Sequence, residues 1–248
     1  MLKKLKSALK SPKGSILALA LKAAVFSGLL YFVNSQWSMV IVFLAVAFYF
    51  YFRPSLNTDK FLASFIILLA TSLIAINKLL ITHYSFLISL FFGFLFFLLL
   101  GIKNLIFIKR ESYFYLLNGI LFLAIFILFF WPAQPHWFFV KYLLVFFAIG
   151  LLFREFLNFL IPELLPSQKR KLVVWGISFL MVQLLWVISL LPISFLNAAS
   201  LTLLIMFILQ DFNVHHFSGT INRQIILRNI TIFLILTLVI CSASKWSP

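Results

Sequence analysis

The chain has 248 residues, of which 64% are hydrophobic, 19% aromatic and only 10% charged. Soluble domains carry roughly 45–50% apolar and ~25% charged residues, so this chain lacks the polar surface to enclose a core against water, and a soluble domain is excluded. Twenty Lys and Arg against five Asp and Glu leave a formal charge of +15; cations scattered between apolar runs report membrane topology and exclude a nucleic-acid partner.

At the start, Leu2, Leu5 and Leu9 recur at i, i+3 and i+7 among lysines. The spacing predicts a basic amphipathic segment over residues 1–14, with a short helix over 1–10 that lies on anionic lipid and stops before Pro12. A cleavable signal peptide fits poorly, because Ala18-Leu19-Ala20 comes after too few apolar residues and Lys22 follows it.

From residue 15 to 248 the chain reads as one all-α transmembrane domain. A hydrocarbon core of ~30 Å needs about 20 apolar residues in helix. Nine runs of roughly that size predict spans at Ile16 to Val33, Trp37 to Phe52, Phe61 to Ile76, Tyr84 to Gly101, Tyr113 to Trp131, Trp137 to Phe153, Leu172 to Leu191, Ile193 to Leu209, and Ile225 to Cys241. In the first, Ala20, Ala24 and Gly28, with Ala23 and Ser27 beside them, form a small-residue stripe that permits close helix approach. Asn118 in the fifth and Gln183 in the seventh are amides in apolar surroundings. An amide does not face lipid cheaply, so both are read as interhelical hydrogen-bonding groups.

The cations alternate between successive connections. Sixteen fall on one side: Lys3, Lys4, Lys6, Lys10 and Lys13, then Arg53 and Lys60, then Lys103, Lys109 and Arg110, then Arg154, Lys169, Arg170 and Lys171, and finally Arg223 and Arg228. Lys78 and Lys245 fall on the other, while Lys22 and Lys141 lie inside apolar runs and are read as snorkelling. The positive-inside rule then predicts a cytoplasmic N-terminus in the cell membrane, with the C-terminus outside. Trp37, Trp131, Trp137 and Trp246 agree, since they sit at or beside predicted outer ends.

None of the five acids, Asp59, Glu111, Glu155, Glu163 and Asp211, falls deep in a span. A carboxylate proton relay across the bilayer therefore has no residues to build it. The outer connections are too short for an external domain, and His83 and His136 within them read as interfacial. Two longer connections are cytoplasmic. Arg154 to Lys171 predicts a short helix ended by Pro162 and Pro166, followed by the triplet Lys169, Arg170 and Lys171, which can hold anionic lipid heads. Gln210 to Gln224 predicts an amphipathic connector flat on the inner surface, with Asp211 and His215 on one face and Val214, Phe217 and Ile221 on the other. A functional reading makes His215 or His216 a base or metal ligand, with Arg223 and Arg228 holding a lipid phosphate. One carboxylate and two histidines are an incomplete metal set, and the lone Cys241 adds no thiolate pair, so neither a metal nor a cofactor is expected.

Three function classes follow. The first is a non-catalytic membrane subunit or scaffold that packs against a membrane-protein partner. The second is a carrier or flippase for a lipid or apolar-tailed phosphate, with a polar cavity reaching from the inner face towards Gln183. The third is a lipid-modifying enzyme centred on His215 and His216. No residue pattern in the chain matches a catalytic or transport signature.

Overall fold

A computed structural model of the chain describes residues 12–33, 37–53, 61–78, 85–132, 138–161 and 167–243. The expected helix over residues 1–10, His83, His136, Asp59, Glu163, Lys245 and Trp246 lie outside them. The described residues form nine α-helices and no strand: α1 Pro12–Phe32, α2 Trp37–Phe52, α3 Leu62–Lys78, α4 Ser85–Lys103, α5 Arg110–Phe130, α6 Phe138–Leu160, α7 Ser167–Ser189, α8 Phe195–Phe217 and α9 Arg223–Ala243. Six of these, α4 to α9, are long and apolar enough to cross a membrane, which makes the chain a multi-pass membrane protein; α1, α2 and α3 contain shorter apolar stretches. Two compact units divide between Leu117 and Asn118, within α5.

In the first unit α1 packs chiefly on α4. They approach tightly at Gly93, where a Cβ would overlap Ser27 Oγ and stand 3.1 Å from the Ala23 carbonyl oxygen. Ser27 Oγ is itself turned back to donate to that carbonyl at 3.0 Å, so its hydroxyl is satisfied inside the contact. Of the small-residue stripe, Ala20 and Ala24 are exposed, and nothing lies within 4 Å of the Cβ position of Gly28. The residues beside them, Ala23 and Ser27, form the contact face together with Leu19, Phe26 and Leu30, all three buried. Phe26 stacks on Phe96 of α4 at 4.3 Å between centroids and tilts against Phe43 of α2 at 4.9 Å.

Lys103, the last residue of α4, is only 8% exposed. Its ammonium donates to the Tyr51 carbonyl in the last turn of α2 and lies 3.5 Å from the Tyr51 ring centroid. A cation there satisfies an orphan carbonyl at the negative end of the α2 dipole and uses the ring face as a second partner. Sequence reading had given Lys103 a topological role alone.

In the second unit α6 packs on α7, α7 on α8, and α8 on α9. Gly150 of α6 admits Trp175 and Ser178 of α7: a Cβ there would meet the Trp175 ring at 2.7 Å. Two helices expected in the connections prove to continue the preceding spans. Arg154, Glu155 and Asn158 continue the helix of the preceding span to Leu160, because no breaker interrupts the sequence before Pro162. Likewise residues 210–217 extend α8, because Gln210 and Asn213 point inward and are buried, at 2% and 9% exposure. The connector to α9 shrinks to five residues, 218–222.

Candidate functional site

The end of α8 and the start of α9 gather most of the chemically varied residues. Three backbone donors close α8: Ser218 N–H to the Val214 carbonyl at 3.0 Å, Gly219 N–H to His216 at 3.2 Å and Thr220 N–H to His215 at 3.0 Å. Gly219 adopts φ +66°, the left-handed conformation that ends a helix and that a glycine enters without steric cost. The Asn222 carbonyl then accepts from Ile225 and Ile226, and α9 begins. This tight reversal lays α9 back against α8 and brings its first turns level with Asp211.

Asp211 is the hub. Its Oδ2 accepts from Arg228 Nη2 at 3.0 Å and from Asn229 Nδ2 at 2.8 Å, while Oδ1 lies 3.6 Å from His215 Nε2, one helical turn ahead. The other ring nitrogen of His215, Nδ1, is 2.9 Å from Thr220 Oγ1. The cluster is half-exposed, so its charge pair is worth about 0.2–1 kcal/mol and orders the hairpin more than it stabilises the fold. His216 faces elsewhere, stacked 6.1 Å from Phe212 and edge-on to Phe217 at 5.2 Å. The structure thus separates the two histidines: His215 joins a polar network and His216 an aromatic one. Asp211 and His215 are two ligand-type groups, and among the described residues no set of three His, Cys, Asp or Glu converges.

Behind this network lies a crevice of about 220 Å³ between α8 and α9, with Phe212, Ile225, Ile226, Ile230 and Phe233 in its wall. His215 and Asn229 are its polar members, and the wall is otherwise apolar. Arg223 is exposed at the start of α9. Of the basic triplet in the first turn of α7, Lys169 and Lys171 are exposed, whereas Arg170 donates to Asn158 Oδ1 on α6.

The two amides meet different fates. Asn118 is buried and its Oδ1 accepts from Gln210 Nε2 at 3.0 Å; Gly119 alongside admits the Phe207 ring, which a Cβ would meet at 2.7 Å. Spacing gives no sign of this partner, because Gln210 lies 92 residues away at the polar end of its apolar run. Gln183 is exposed on α7 and finds no hydrogen-bond partner among the described residues. Around it, Phe179, Leu180, Trp186 and Val187 are exposed by 41–59%. At i−4, i−3, i+3 and i+4 they form a single outward stripe with the amide at its centre.

The chain matches no family model, no curated protein and no solved structure.

Proposed function

We propose that the protein is a non-catalytic subunit or scaffold of a membrane assembly, crossing the cell membrane nine times with its N-terminus in the cytoplasm. The exposed Gln183 carries the reading. In the hydrocarbon core an amide without a partner costs several kcal/mol, so a mid-span glutamine on an outward face calls for a polar group from another helix. The stripe of Phe179, Leu180, Trp186 and Val187 supplies the surrounding contact area.

Orientation rests on the sixteen cations of the inward connections against two outside. The acids Glu111, Glu155 and Asp211 stay at the same helix ends as those cations, which leaves the outward ends without carboxylates to blur the bias. A topology reporter fused after Pro248 is expected to read external; a cytoplasmic signal would refute the odd span count.

Extraction in native lipid patches followed by mass spectrometry tests the assembly. The wild-type chain is expected to retain one membrane protein in stoichiometric amount, and Gln183→Leu to lose it. Equal recovery of that protein by both chains would remove the amide as its anchor, and absence of any stoichiometric protein would remove the subunit reading.

A further inference from the structure

We infer that the crevice between α8 and α9 binds one acyl chain of an anionic phospholipid, with the phosphate held above it by Arg223 and by the outer edge of the Arg228 and Asp211 network. Three observations converge. The crevice, about 220 Å³, is apolar apart from His215 and Asn229, so it offers a hydrocarbon surface and few groups to orient a polar ligand. A segment of one hydrocarbon chain suits that wall.

The geometry of α9 aligns head and tail. Arg223, Ile226, Ile230 and Phe233 follow at i, i+3, i+7 and i+10 and share one stripe, of which the last three line the crevice. Ten residues of helix rise about 15 Å, half of a ~30 Å hydrocarbon core, so a tail of one leaflet spans the distance from the guanidinium to the Phe233 ring.

Charge supplies the preference for an anion. α9 opens with no acid in its first turn and with Arg223 at the positive end of its dipole, an arrangement that a phosphate relieves. Asp211 is already engaged by Arg228 and Asn229, which leaves the hairpin net positive. This site is independent of any protein partner.

The test reconstitutes the full chain in vesicles with phosphatidylglycerol or phosphatidylcholine bearing a photoactivatable group on one acyl chain, and maps adducts by mass spectrometry. Adducts are expected at Phe212, Ile226, Ile230 and Phe233, with the anionic lipid favoured at least about fivefold. Arg223→Gln touches none of the Asp211 contacts and is expected to reduce that preference below twofold while adducts persist. Ile230→Trp, which fills the crevice, is expected to abolish them with both lipids. Equal labelling by the two lipids, a preference unmoved by Arg223→Gln, or adducts spread evenly over the helices would each overturn the assignment.

Discussion

The contact around Asn118 and the outer face of α7 around Gln183 begin from the same chemistry, a primary amide inside an apolar helix, and end differently. At the first, Gly119 lets the Phe207 ring approach and Gln210 reaches Asn118 from α8, so the chain answers its own polar group. At the second, the amide stands outward among Phe179, Leu180, Trp186 and Val187. In lipid, apolar surface gives no reason to bury one helix face over another, and the polar and small residues decide. Where the chain supplies the partner the residue belongs to the fold; where it does not, the residue addresses something else.

That contrast can be broken at its buried end first. Gln210→Leu leaves the Asn118 carbonyl oxygen unpaired beside an Nδ2 that already lacks a partner, and is expected to cost about 1–3 kcal/mol in a reversible unfolding measurement. The double replacement Asn118→Leu and Gln210→Leu is expected to recover most of that loss, because two apolar groups of similar shape leave nothing unsatisfied. A double variant as unstable as the single would show that the amides matter for shape alone. Gly119→Ala comes next, at about 1 kcal/mol, since only the far edge of the Phe207 ring obstructs the new methyl and the ring can yield.

Smaller effects sharpen the exposed side. A double-mutant cycle on Asp211 and Arg228 is expected to give a coupling of about 0.2–1 kcal/mol that falls with added salt, as suits a half-exposed pair. Gln183→Leu in the isolated chain is expected to shift stability by no more than about 0.5 kcal/mol, because no described residue depends on it. A loss of the size seen for Gln210→Leu would place Gln183 inside the fold and end the contrast.

Much of the helical framework was legible in the sequence, since apolar runs ended by charge or proline leave few alternatives in lipid. Helix ends were less so. Residues 210–217 carry Gln, Asp, Asn and two His and read as a separate amphipathic connector; that they continue α8 with Gln210 and Asn213 turned inward is a tertiary fact with no local sign. That Ala23 and Ser27, rather than Ala20, Ala24 and Gly28, face α4 was not legible either: with nearly every face of α1 apolar, periodicity does not say which one meets a neighbour within the chain. Lys103 on the Tyr51 carbonyl joins residues 52 positions apart, beyond the reach of spacing arguments. The pairing of Asp211 with His215 was readable at i, i+4. Its contact with Arg228 depends on the reversal at Gly219, which brings α9 back alongside.

The central claim, that the face of α7 around Gln183 meets another polypeptide, is tested most directly by photo-cross-linking in the native membrane, with the reactive side chain placed in turn at Phe179, at Val187 and, for comparison, at Leu143 on the exposed surface of α6. The account predicts one discrete protein adduct from positions 179 and 187, lost in a Gln183→Leu background, and lipid adducts alone from 143. Lipid adducts alone from all three positions would contradict it.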